Sequence, residues 1–417
     1  MTPTNTAAAG TAARAAPAAH EANWKLTGGL LLAAAAVLAI PPLVAGGRGG
    51  IGLDYDVYRA AGAAVLHGAS PYAIDLSGGF RYLYSPFAAM LMVPLAWLST
   101  TAGLALWSAV SVLAMEGLFW TSLRAAGVGS RRRRAKMTLS LVFVSLPLTP
   151  VLQTLQLGQI NFIIALLVLA DLCRGSGRLR GVGVGIAAGI KLTPLIFIPY
   201  LMITRQYRAA RVAAGSFLAT VAIGFAAMPS FSWHYWTSTF YATSRMYPQN
   251  VPQAWNYSIR EIIELYSGSA AVTLWCWLIA AVVVGVCGLM VARSASLRGN
   301  ELTGVVACAI TGLLISPISW PGHWVWCLPL LVVAAGNAVN IGRGRVLRAG
   351  AKPAIVYWIF VAQSMPVWPL FWRNAPQEIF TYLNVMAGLA VLGVLAAALR
   401  RQGQATGGGP GQTAVLA

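Results

Sequence analysis

The sequence predicts an all-α, polytopic membrane protein, and three observations carry that prediction. The 417 residues are 58% hydrophobic and only 9% charged, with a mean hydropathy of +0.69, whereas soluble globular domains are about 25% charged. Apolar runs recur along the chain, several approaching the roughly 20 residues that a helix rising about 1.5 Å per residue needs to cross about 30 Å of hydrocarbon. The 29 basic residues behind the formal net charge of +19 fall in short clusters between those runs, which points to a membrane rather than to nucleic acid. A transmembrane barrel would alternate apolar and polar residues in segments of about 10, a pattern absent here.

Taken in order, residues 1–25 are rich in Ala, Thr and Pro and read as a disordered tail. The first span covers about 26–45; no small-residue cleavage site follows it, so it reads as an uncleaved anchor. A loop over 46–84 follows. Next, "SPFAAMLMVPLAWL" contains Pro86 and Pro94 and is short for a crossing, so it reads as a re-entrant or interfacial helix. Further spans are expected at about 102–124, 137–152, 159–173, 212–228, 271–292, 302–317, 324–340, 353–371 and 379–399. Between 181 and 203, "GVGVGIAAGIKLTPLIFIPYLMI" has basic clusters on both sides and must return to the side it left. It reads as two half-helices meeting near "KLTP", where Pro194 interrupts the helical ladder, an irregularity tolerated at membrane depth where protein or a wet cavity lines it.

The whole is a transmembrane bundle of about 12 apolar helices, one domain over 26–400, with both tails (1–25 and 401–417) cytoplasmic. In that orientation 22 basic residues lie inside, six lie outside, and Lys191 lies in the bilayer. Inside loops are short and basic, and the two long segments, 46–84 and 229–270, face outward. The second is dense in Trp and Tyr, which fits an interfacial aromatic belt or a wall facing sugar or lipid. All five cysteines sit in or beside apolar runs with no metal-ligand spacing, and read as packing residues.

Few polar groups are available for chemistry. Asp54 and Asp56, in "IGLDYDVYRAAG", are two of only ten acidic residues. Asp54 fits a helix N-cap or a general base, its charge favoured by the helix dipole and its pKa raised by burial. Lys191, in an apolar hairpin, either snorkels to the interface or points into a cavity as a phosphate contact. His323, in "LISPISWPGHWVW", and the amides Gln156, Gln159 and Asn161, in "LQLGQIN", stand at outer helix junctions, where packing and interhelical hydrogen bonds compete with substrate binding. No Walker loop, HExxH or GxSxG motif occurs.

The ordered set "DYDVYRAAGAAVLHGASPY", "FRYLYSPFAAMLMVPLAWL", "LQLGQIN", "GIKLTPLIFIPYL" and "SPISWPGHWVW" resembles the GT-C membrane glycosyltransferases, and within them glycosyltransferase family 87. These are polyprenyl-phosphate-mannose-dependent α-(1→2)-mannosyltransferases of actinobacteria that build phosphatidylinositol mannosides and lipoarabinomannan. The resemblance implies a multi-pass cell-membrane enzyme with its site facing the periplasm. It further implies a lipid-linked mannose donor, a lipid-anchored mannoside acceptor, an inverting single displacement, and no metal or other cofactor. The family's D-x-x-V-Y pattern makes Asp54 the base and Asp56 its neighbour, followed by Val57 and Tyr58.

By the same likeness Lys191 and His323 are candidates for the lipid phosphate. Tyr84, Gln159 and Asn161 are candidates for the substrate cavity, and Asp56, Tyr58, Arg59, Asn256 and Trp320 are further substrate contacts. The chain departs from the family pattern at "YSPF", at Gly322–His323, where the family often carries two histidines, and at "WNYSIR". Two other readings of the same residues are a lipid-linked-sugar transporter or flippase, which also uses half-helices, and a GT-C enzyme moving a different sugar. Oligomeric state is left open.

Overall fold

A computed structural model describes residues 52–76, 79–175, 177–242, 255–339, 356–357, 359–360 and 378–407. The expected first span at 26–45, the tail 1–25, most of the 353–371 span and residues 243–254 of the second outer segment lie outside the described residues. Among these residues regular structure is helical throughout, and the single β contact is an isolated bridge between Leu76 and Phe80.

Helix α1 (Leu53–Leu66) follows Gly52, whose φ of 79° is left-handed and whose N–H donates to the Gln156 carbonyl at 2.7 Å. The "SPFAAMLMVPLAWL" segment forms α2 (Pro86–Leu91) and α3 (Val93–Ala96), of six and four residues. Together they rise only about 15 Å, so this segment does not cross. Ser85 caps α2 through Ala88 N–H at 3.1 Å and donates to the Gly189 carbonyl, tying the α2–α3 segment to the end of the Val182–Ile190 helix.

Helix α4 (Thr100–Ala125), of 26 residues, is long and apolar enough to cross a membrane. The basic run opens α5 (Arg131–Ser145), and Arg134 folds back onto the Val128 carbonyl at 2.6 Å. Helix α6 (Thr149–Leu157) is bent 84° from α5. The continuous span expected over 137–152 is therefore corrected to a broken pair, because Pro150 suits the first turn of a new helix and cannot extend the old one. Helix α7 (Asn161–Cys173) begins after a turn at Gly158, where φ is 71° and a Cβ would stand 2.8 Å from that of Tyr55. Only glycine fits that close approach.

The hairpin over 181–203 consists of α8 (Val182–Ile190), an extended Lys191 (φ −138°, ψ 131°), a 3₁₀ turn over Thr193–Ile196, and α9 (Phe197–Ile203). The helix stops before Lys191 and Pro194 opens the next turn. The Asp171 carboxylate accepts from Gly181 N–H at 2.9 Å and Val184 N–H at 3.0 Å, capping α8 at the end away from Lys191. Then come α10 (Tyr207–Ala227), α11 (Pro229–His234), α12 (Ile259–Ser267), α13 (Ala270–Leu297), α14 (Glu301–Ile315), a 3₁₀ turn over Pro321–Trp326, α15 (Cys327–Val339) and α16 (Glu378–Gly407). Helix α16 runs past the end expected at 399.

Among the described residues four helices, α4, α10, α13 and α16, are long and apolar enough to cross a membrane, and the α5–α6 pair makes a fifth if it counts as one span. Helix α13 leaves Trp275, Ile279, Val282 and Val286 exposed, as a lipid-facing helix does. Cys276 and Cys287 lie exposed on it, whereas Cys308 and Cys327 are buried. All five cysteines are free.

Candidate active site

One cavity of ≈ 780 Å³ opens where the start of α1, the α6–α7 junction, the break at Lys191 and the end of α14 converge. Asp54 lines it from the first turn of α1. The N-cap of α1 is Gly52 and no side chain caps the helix, so Asp54 is not the capping residue that its position allowed. Its Oδ2 accepts a hydrogen bond from Gln159 Nε2 at 2.8 Å. Burial raises its carboxyl above the usual carboxylate range, opposed by that hydrogen bond and by the charge of Lys191.

From Gln159 the polar contacts run on without a gap. Asn161 Nδ2 donates to Gln159 Oε1 at 2.7 Å and to the Gly322 carbonyl at 2.9 Å. Lys191 Nζ donates to Asn161 Oδ1 at 3.1 Å and lies 2.8 Å from His323 Nε2. It also sits 5.5 Å from the Tyr84 ring centroid, within the reach of a cation–π contact. An ammonium only donates, so Nε2 accepts from it and the imidazole proton sits on Nδ1. Lys191 is therefore the cation of the pair, and His323 orients it. Two of the three Nζ protons are engaged, which leaves one for an anion.

The structure brings Asp54, Tyr84, Gln159, Lys191, Trp320 and His323 to this one cavity. Asn161 stands just behind it, buried in the polar chain. Tyr58 is wholly buried and supports Tyr84, their hydroxyls 2.9 Å apart. Besides Tyr58 and Asn161, three further expected substrate contacts do not line the cavity. Arg59 turns its guanidinium to the Leu98 carbonyl at 3.3 Å. Asp56 follows Asp54 by two positions, which on a helix puts the two on different faces, so this D-x-D spacing does not converge on a common ligand. Asn256 clasps the turn before His323, accepting from Ser319 N–H at 2.8 Å and donating to the Pro317 carbonyl at 3.0 Å. Among the described residues no group of three or more His, Cys, Asp or Glu side chains gathers.

Sequence reasoning passed over Arg81, Gln153, Tyr235, Phe240 and Trp255, all of which line the cavity. The aromatic density of the second outer segment was the available signal for the last three. It answers in both ways: Tyr235 and Phe240 reach the cavity, whereas Trp233, Tyr241 and Tyr266 stand exposed as a belt would.

The family model for glycosyltransferase family 87 matches residues 82–317, more than half of the chain. This chain belongs to glycosyltransferase family 87. The family 87 chain is 32% identical over 309 residues to a Mycolicibacterium smegmatis protein named polyprenol-phosphate-mannose-dependent alpha-(1-2)-phosphatidylinositol mannoside mannosyltransferase, covering 68% of this chain and 69% of that one. A Mycobacterium tuberculosis protein of the same name is 30% identical over 299 residues, covering 67% and 69%. A second M. smegmatis protein, named for a phosphatidylinositol pentamannoside, is 29% identical over 323 residues, covering 76% of each chain. No solved structure matches the family 87 chain.

Proposed function

We propose that the protein transfers mannose from a polyprenyl-phosphate-linked donor to the hydroxyl of a phosphatidylinositol mannoside or related lipid-anchored mannan, forming an α-(1→2) bond by inversion. The observation that carries this reading is one cavity holding a carboxylate raised by burial and, across two amides, a lysine with a free donor. The acceptor oxygen attacks the anomeric carbon, the bond from that carbon to the phosphate oxygen breaks, and its electron pair stays on the lipid phosphate. Asp54 takes the hydroxyl proton. Lys191 meets the charge that grows on the leaving phosphate, as a fixed donor in a low-dielectric site. An α product requires a β-linked mannose on the donor.

In this reading the cavity faces the periplasm, both chain ends are cytoplasmic, the bundle over 26–400 totals about 12 apolar helices, and no metal takes part. Placement of the basic clusters supports the orientation. They open α5 and flank the α8–α9 hairpin on the end away from Asp54. The names of the relatives support the donor and the acceptor class.

Membranes carrying the protein, given radiolabelled polyprenyl-phosphate-mannose and glycolipid acceptor, will form labelled mannoside. Asp54→Asn will lower kcat by about 10²- to 10⁴-fold, the usual share of a general base, with donor binding retained. Full turnover in that variant removes Asp54 from the role. Movement of intact donor across liposomes with no glycosidic bond formed would favour the transporter instead.

A further inference from the structure

We propose that Gln159, Asn161 and Gly322 form a positioning unit through which the anion-holding Lys191 sets the orientation of the Asp54 carboxylate. This rests on Asp54 acting as base and Lys191 as phosphate contact, and it assigns the two amides to holding those groups rather than to gripping sugar. The geometry gives the chain of contacts one polarity. A carboxylate only accepts, so Gln159 must turn its NH₂ toward Asp54; an ammonium only donates, so Asn161 must turn its oxygen toward Lys191. With both ends set, Gln159 Oε1 faces Asn161 Nδ2, and they meet at 2.7 Å. Flipping either amide would bring donor to donor or acceptor to acceptor on both of its sides. The remaining Asn161 proton goes to the Gly322 carbonyl, which also accepts from Thr154 Oγ1 at 3.2 Å. Asp54 Oδ2 is thereby occupied, and Oδ1 is left for the acceptor proton.

Burial makes this arrangement rigid: Gln159 is 8% and Asn161 6% exposed, and an amide buried there without its partners is strongly disfavoured. Glycine at 322 is what gives the unit room. A Cβ at that position would overlap Gln159 Oε1 and lie 3.2 Å from Asn161 Nδ2. The obstructing atom is the end of a flexible side chain, and the Gly322 backbone is not in the left-handed region. Gly322→Ala therefore keeps the fold and displaces the Gln159 amide, without removing any polar group.

The test measures kcat, donor KM and the pH–rate profile of mannosyl transfer for the full-length protein, Gly322→Ala and Asn161→Leu. Both variants are expected to lower kcat by about 10- to 100-fold, the effect of misplacing a reacting group, while donor KM stays within about twofold in Gly322→Ala, where Lys191 keeps its partners. The acid limb will move to higher pH by about one unit, because losing the Gln159 hydrogen bond disfavours the ionised carboxylate. A merely structural loss would reduce the amount of active protein and leave the limb where it was. If Asn161→Leu does not accumulate in membranes, Gly322→Ala decides alone. Wild-type kcat and an unmoved acid limb in Gly322→Ala, alongside an active parent, overturn the positioning unit. No transfer by the parent protein overturns the underlying reading of function instead.

Discussion

Two polar networks, one buried and one partly buried, lie at opposite ends of the same helices, and they treat charge differently. At the far end Glu301, which opens α14, binds Arg180 at 3.0 Å, the Tyr200 hydroxyl at 3.0 Å and the Ser296 hydroxyl at 2.6 Å. Anion and cation touch, and the network closes on itself between the ends of α13, α14 and the α8–α9 hairpin. At the site end Asp54 and Lys191 are joined only through Gln159 and Asn161, and both line the large cavity. Direct pairing neutralises two groups and fastens helices. Separation by two amides leaves both groups ordered and open to a third party. The contrast gives a rule for finding chemistry in this bundle: seek opposite charges held in register but kept apart.

The largest expected effect that sharpens this contrast comes from Lys191→Met. It removes the charge facing the leaving phosphate and should lower kcat by about 10²- to 10³-fold. It also removes a field that lowers the Asp54 pKa, so whatever activity remains will have its acid limb at higher pH than the parent. The sign follows from Asp54 acting ionised: rate is lost as pH falls through its pKa, and that pKa rises when the cation goes. An acid limb that moves down would break the proposed link between the two groups.

At the far end Glu301→Gln should do the reverse. It leaves Arg180 without its anion in a partly buried site, and thermal unfolding in detergent should show a loss of about 1–3 kcal/mol. Activity per folded molecule should be that of the parent. A kinetic defect with unchanged stability would mean that this network also serves the reaction. The smallest effect belongs to the exposed Asp75–Arg81 pair, 2.9 Å apart in the segment between α1 and α2. Asp75→Asn should cost about 0–1 kcal/mol, since solvent already screens both groups. A larger loss in the same unfolding assay would show that the loop is held more tightly than its exposure implies.

Several residues that line the cavity were legible in the sequence. Asp54, Lys191 and His323 stood out because a charge or an imidazole in a chain this apolar is expensive to place and tends to line a cavity. The break at Lys191 was legible too, since Pro194 cannot continue a helix and the basic clusters on both sides require a return. Arg59 and Asp56 went astray for a geometric reason. A linear motif groups neighbours in sequence, whereas a helix turns them about 100° apart per residue, and only one face of α1 meets the cavity. Asn256 went astray because an amide that clasps a turn and an amide that grips a sugar have the same composition.

Composition and spacing determined the solvent in which the chain folds, the order of its apolar helices, the loops in which its positive charge gathers and the few ionisable groups left for chemistry, because each follows from transfer free energies and helical rise along one dimension. Tertiary structure alone decided that residues 54, 159, 161, 191, 322 and 323 meet at one point. It also decided which way each amide faces and that His323 serves Lys191 rather than adding a second charge. Those are facts about donors and acceptors from distant segments brought within 3 Å of one another, and no local pattern encodes such encounters.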